Sequence, residues 1–160
     1  MNNYELRSYF KTVPEEYLFQ MFDILASNMT TIAPTGNSYE DDKSLWLSQA
    51  VPQFENVILI LYSEKVVGYF QYRIIDDTLI MDEIQFASGF HSVGLFGILY
   101  RYIAKTLPDS IMYVAACANK KNYKSQRILE HLGLTQVGEN KNGNSYVYRG
   151  MYQSLLDRYT

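Results

Sequence analysis

Three groups of residues in this 160-residue chain could do chemistry. The first is Phe86-Ala-Ser-Gly-Phe-His91-Ser-Val-Gly94-Leu-Phe-Gly97, a glycine-bearing turn between an extended segment and a helical one. A helix start offers backbone N–H groups and the positive end of a dipole, so such a turn suits a phosphate. The second is Asn122-Tyr-Lys-Ser125-Gln-Arg-Ile-Leu-Glu-His-Leu-Gly133-Leu134, with Lys120, Lys121 and Lys124 at its start. Asn122 is a good N-cap, Ile128, Leu129 and Leu132 share one helical face, and Gly133 can take the left-handed conformation that ends a helix. The third is the pair Asp82 and Glu83. Consecutive strand residues point to opposite faces, so at most one of these carboxylates can serve as a base toward a given ammonium. Each group also has a plain alternative. The turn can simply feed a buried helix, Asn122 can be only a cap, and the lysines and carboxylates can be solvated surface charges.

These groups must be held by a frame, and the hydrophobic pattern supplies one. Tyr4–Phe10 alternates as a strand. Pro14, Glu15 and Glu16 suit the first turn of a helix that carries Tyr17, Leu18, Met21, Phe22 and Leu25. Residues 30–38 hold Pro34 and Gly36 and read as a loop. Asp41 or Asp42 can cap a second helix that stops before Pro52. Val57–Tyr62 and Val66–Ile75 form a hairpin around Ser63-Glu64-Lys65, and Asp76-Asp77 turns the chain into a strand over Leu79–Phe86. A helix from about Val93 to Lys105 follows, then a strand from Ile111 to Cys117, the Asn122–Leu132 helix, and an antiparallel pair over Thr135–Glu139 and Ser145–Tyr152. The order β-α-α-β-β-β-α-β-α-β-β predicts a mixed α/β sheet of about seven strands, mostly antiparallel, with helices on both faces.

Bulk properties narrow the function. The length suits a single domain. The longest apolar run, Val57–Tyr62, is far short of a membrane span. One cysteine, Cys117, precludes an internal disulfide, reads as a buried structural thiol, and with the absence of a leader points to the cytoplasm. His91 and His131 are too few and too far apart for a metal site. Charge is uneven. Residues 1–60 carry three Lys/Arg against eight Asp/Glu, residues 61–90 two against five, and residues 91–160 nine against four. The C-terminal half is thus suited to an anion and the N-terminal half to something neutral or cationic, unless the scatter is chance. A pI near 5.4 argues against nucleic acid.

The element order and the two motifs resemble the GCN5-related N-acetyltransferase (GNAT) superfamily. The order covers nearly the whole chain, the motifs only Leu79–Tyr102 and Ile111–Leu134. The resemblance implies one acyl-CoA N-acyltransferase domain over residues 1–160. It implies transfer of an acetyl group from acetyl-CoA to a primary amine, on a small molecule or a peptide, by direct attack in a ternary complex. Coenzyme-binding roles carry over to the strand residues Ile84, Gln85 and Phe86 and to the loop residues His91, Ser92, Val93, Gly94, Leu95 and Phe96. They carry over also to Asn122 and Ser125, beside the pantetheine arm.

Glu83 is the favoured base, and Tyr39, Tyr69 and Tyr72 are candidates to line an acceptor pocket. The chain departs from the family at three places. His91 stands where the family has Arg or Gln, and Phe96 where it has Gly or Ala, although a one-residue slip would bring Gly97 into use. Leu129 stands where many members carry a tyrosine general acid, for which Tyr123 is a substitute. The losses at Phe96 and Leu129 keep a non-catalytic acyl-CoA-binding or regulatory module as the alternative. A homodimer is left open.

Overall fold

The computed structural model describes residues 3–30, 34–90 and 94–159. It contains a seven-stranded mixed sheet of order β1-β2-β3-β4-β5-β7-β6. Its strands are β1 (Tyr4–Phe10), β2 (Asn56–Tyr62), β3 (Lys65–Ile75), β4 (Thr78–Phe86), β5 (Tyr113–Asn119), β6 (Thr135–Glu139) and β7 (Ser145–Met151). The helices are α1 (Glu15–Met29), α2 (Tyr39–Leu45), α3 (Gly94–Thr106), α4 (Tyr123–His131) and α5 (Tyr152–Asp157). The chain groups into two compact units, residues 1–71 with 83–92, and residues 72–82 with 93–160.

In the first unit β1 pairs antiparallel with β2, from Tyr4 opposite Tyr62 to Phe10 opposite Asn56. Val57–Leu61 of β2 are all buried, which explains their unbroken apolar run. α1 begins after Pro14 with Glu15 and Glu16 in its first turn, where carboxylates suit the positive helix end. It buries Tyr17, Leu18, Met21 and Ile24 in one cluster with Val57, Leu59, Leu61 and Tyr69. The cap of α2 is Ser38, whose Oγ accepts from the Asp41 N–H at 3.1 Å. Asp41 and Asp42, expected as caps, therefore lie in the first turn instead, where a carboxylate also suits the dipole. A π-turn over Trp46–Ala50 follows and sets the Trp46 ring against Phe22 and Phe54. Ser63 and Glu64 both have positive φ, the geometry that a two-residue hairpin turn demands.

In the second unit the ladder of β4 with β5 is parallel and comprises Thr78–Met81 with Tyr113–Ala116. β7 pairs antiparallel with β5 along its full length, from Tyr113 opposite Met151 to Asn119 opposite Ser145. α3 buries Leu95, Leu99, Tyr100 and Ile103. α4 is framed as its sequence demands. The Asn122 side chain accepts from the Ser125 N–H at 3.1 Å, and Gly133 sits at φ +92°. The Leu134 N–H then closes on the Leu129 carbonyl at 3.0 Å, a glycine-terminated helix end.

Two expectations change here. The last strand stops at Met151, and Tyr152 opens α5, which buries Tyr152, Leu155 and Leu156. Cys117 is exposed rather than buried. Strand alternation puts Ala116 and Ala118 inward, and the residue between them faces outward. Its thiol is pushed up by partial burial and then by the charge of Asp82.

Candidate functional site

In the first unit the end of β4 carries the candidate base. Glu83 is half-buried, and its Oε1 accepts from Gln85 Nε2 at 2.5 Å. Gln85 Oε1 in turn accepts from Asn28 Nδ2 at 2.9 Å, and the same amide donates to the Phe86 carbonyl at 2.9 Å. Asn28 sits in the last turn of α1, so one residue of that helix fixes both side chain and backbone at the end of β4. Sequence reading had no signal for Asn28, because its partners lie 57 and 58 positions away.

Phe86 is buried against Gly68, where an added Cβ would stand 2.7 Å from the Phe86 ring. Only glycine fits beneath that ring. Ile84 is half-buried on the same strand. The turn that leaves β4 closes with the Phe90 N–H on the Ala87 carbonyl at 2.9 Å, with Gly89 at φ +86°. That is the position where a type II turn calls for glycine.

Of the three tyrosines proposed for an acceptor pocket, two are accounted for. The Tyr39 hydroxyl bonds Asp23, and this bond pushes its pKa up to about 12. Tyr72 is buried, and burial raises it. Tyr69 differs. It is 1% exposed, and its hydroxyl has no hydrogen-bond partner among the described residues. Burial, then the negative charge of Glu83, hold the phenol well above its ordinary range, so it stays neutral. An unpaired buried hydroxyl costs about 1–3 kcal/mol, which marks the position as unusual.

In the second unit the candidate phosphate contacts are the first residues of α3. A helix leaves its first N–H groups without intrahelical partners. Gly94 is exposed, and an added Cβ there would meet nothing within 4 Å among the described residues. Leu95 points into the core at 2% exposure. Phe96 stacks on Tyr100, one turn further from the helix start, with ring centroids 6.2 Å apart and planes at 6°. Its ring is thereby engaged along the helix. Gly97 is differently placed. Its Cβ position lies 2.9 Å from the Arg101 guanidinium, which bonds the Tyr159 carbonyl at 3.2 Å. The loop residues His91, Ser92 and Val93, expected to bind coenzyme, lie outside the described residues.

Asn122 and Ser125 meet at the start of α4, but through the cap bond itself. The Asn122 oxygen is thus used, and its amide protons are what it can offer a ligand. Lys120 bonds Glu139 at 2.7 Å and lies over the Tyr146 ring. Of the three lysines it is the least suited to a phosphate, while Lys121 and Lys124 are exposed. Asp82 is held bidentately by Arg73 at 2.8 and 2.9 Å. Glu83 bonds a different partner, as the opposite faces of consecutive strand residues require. Leu129, in place of the usual acid, is 7% exposed and part of the packed face of α4. Among the described residues no group of three or more His, Cys, Asp or Glu could hold a metal. Nor is any helix among them long and apolar enough to cross a membrane.

No family profile matches the sequence, and no curated protein matches it. Solved structures do. An acetyltransferase from Thermus thermophilus is 15% identical, with TM-score 0.71 over 94% of this chain and 97% of its own. The spermidine N-acetyltransferase from Vibrio cholerae, solved with CoA and spermine, is 12% identical, with TM-score 0.62 over 96% and 98%. A GNAT-family acetyltransferase from Bacillus cereus is 12% identical, with TM-score 0.57 over 92% and 96%. Strand order, the β4–β5 parallel ladder and these likenesses agree: the chain has the GNAT acetyltransferase fold.

Proposed function

We propose that the protein is an N-acetyltransferase that moves acetyl from acetyl-CoA to a primary amine. The observation that carries this reading is the exposed Gly94 in the first described turn of α3, with no described atom within 4 Å of its Cβ position and Phe96 stacked on Tyr100. The amides of Gly94, Leu95 and Phe96 would take the pyrophosphate, together with His91, Ser92 and Val93 of the preceding loop. Asn122 and Ser125 would contact the pantetheine arm, as would the strand residues Ile84, Gln85 and Phe86. The likeness to a spermidine N-acetyltransferase solved with CoA and spermine supports an amine acceptor. The eight carboxylates against three basic residues in the first 60 positions support a cationic one.

In the reaction, Glu83 takes a proton from the acceptor ammonium. The freed nitrogen lone pair attacks the thioester carbonyl carbon, a C–N bond forms, the C–S bond breaks, and the thiolate leaves. Gln85 and Asn28 hold the carboxylate so that little ordering is left for the moment of reaction. Protonation of the thiolate falls to Tyr123, which is 67% exposed, or to solvent.

Calorimetric titration with acetyl-CoA, followed by thiol release against a panel of amines, tests the reading. Tight binding with release is expected, and no binding at all would sink it. Glu83→Gln should lower turnover about a hundredfold at unchanged acetyl-CoA affinity. A second reading, acyl-CoA binding without turnover, is favoured by one observation, the buried Leu129 in place of a hydroxyl. Binding without any thiol release would support it.

A further inference from the structure

A cleft of about 360 Å³ opens in the second unit, where the end of α3, the turn into β5 and α5 meet. Its apolar wall is Ala104, Leu107, Ile111 and Leu156, the last three of them buried. Asp109, Tyr152 and Gln153 form its polar rim. Small-molecule sites have this size and this make-up, apolar walls with a few polar groups. Among the described residues no lysine, arginine or histidine lines the cleft. Lys105, the basic residue nearest in sequence, is exposed on α3 and outside the lining.

The rim is built for a donor with positive charge. Asp109 is an exposed carboxylate in the turn after α3. Ala104 stands in the last turn of α3, where a helix presents carbonyl oxygens and the negative end of its dipole. Gln153 donates its amide to Asp157 at 2.8 Å. Its amide oxygen is then what it offers a donor, and a second carboxylate stands behind the rim. Burial, then the charge of Asp109, push the Tyr152 phenol up to about 12, so it adds no charge of its own. A carboxylate or phosphate would be repelled here. A primary ammonium brings three N–H donors and the opposite charge. From this lining we infer that the cleft binds a primary ammonium carrying an apolar arm. Asp109 and the carbonyl end of α3 take the charge, and the arm covers Leu107, Ile111 and Leu156. The site is separate from the proposed phosphate position, since Ala104 lies ten residues along α3 from Gly94, about 15 Å at the helical rise. It stands independently of the acetyltransferase reading.

Hexylamine is the probe, charged at neutral pH like a lysine side chain, with hexanol and hexanoate as its neutral and anionic matches. Backbone amide signals of the full chain would be followed by nuclear magnetic resonance as each is added. Hexylamine should shift the signals of Ala104, Leu107 and Leu156 saturably, hexanol should bind about fivefold more weakly, and hexanoate should leave those signals in place. Asp109→Asn should weaken hexylamine about fivefold, the upper range for an exposed charge pair. Because Asp109 is exposed, its melting temperature should stay as it is. Ala104→Phe, which fills the cleft, should remove the saturable shifts at Leu107 and Leu156. The inference is overturned by hexylamine shifts that do not saturate at these residues, by hexanol or hexanoate binding there as well as the amine, or by undiminished affinity in Asp109→Asn.

Discussion

Two helix starts in the second unit use the same backbone geometry in opposite ways. α4 is closed by its own sequence, because Asn122 accepts from the Ser125 N–H and occupies one of the donors a ligand would need. The first described residue of α3 is an exposed glycine with no described atom within 4 Å of where a side chain would stand. The Asn122 motif is the more recognisable in sequence, yet its conspicuous residue is the one that satisfies itself. The α3 start is the weaker motif, and the proposed function makes it the phosphate position. A recognisable pattern and an available donor are different properties, and for anion binding the second one counts.

The largest effect that would separate the two starts is expected at Gly94. Gly94→Val should weaken acetyl-CoA binding at least tenfold, about 1.4 kcal/mol, by covering the amides. Because no described atom lies within 4 Å of the new Cβ, the melting temperature should hardly move. Unchanged affinity by calorimetry would show that the phosphates sit elsewhere and erase the contrast.

Leu129→Tyr comes next. The family's acid would be inserted into a packed face, and overpacking should cost about 1–3 kcal/mol in chemical denaturation without raising turnover. A rise in turnover at intact stability would mean that α4 can supply the acid after all. Gly133→Ala should cost about 1 kcal/mol, because φ is +92° and the Arg158 guanidinium stands 3.1 Å from the new Cβ. The smallest effect on binding belongs to Asn122→Ala. It should cost about 1 kcal/mol of stability as a lost cap, while acetyl-CoA affinity falls less than threefold. A larger loss of affinity than of stability would make Asn122 a coenzyme contact first and a cap second.

Much of the frame was legible because the signals are local. The buried β2 run, the period of α1, the turns at Ser63-Glu64 and Asp76-Asp77, and the Gly133 helix end each depend on a few adjacent residues. Where reading failed, two local signals competed. Ser38 and Asp41 are both good caps, and the earlier one won because the helix could begin there. Tyr152 continues a strand pattern and also starts the 152-155-156 spacing of α5, and burial of that helix face decided it.

The sequence by itself determined the elements, their order and the chemical types available: an amide-rich helix start, a capped helix, and two carboxylates of which only one could face a reaction. These follow from backbone sterics and hydrophobic period, which act over a few residues. Only tertiary structure could decide which of those groups are already spent. Asn28 reached Gln85 and Phe86 across 57 and 58 residues, Arg73 claimed Asp82, and Glu139 claimed Lys120. Phe96 was drawn onto Tyr100, and a single buried hydroxyl, Tyr69, was left without a partner among the described residues. Hydrogen bonds and ring contacts pair groups by distance in space, and a side chain's availability for chemistry is what remains after that pairing.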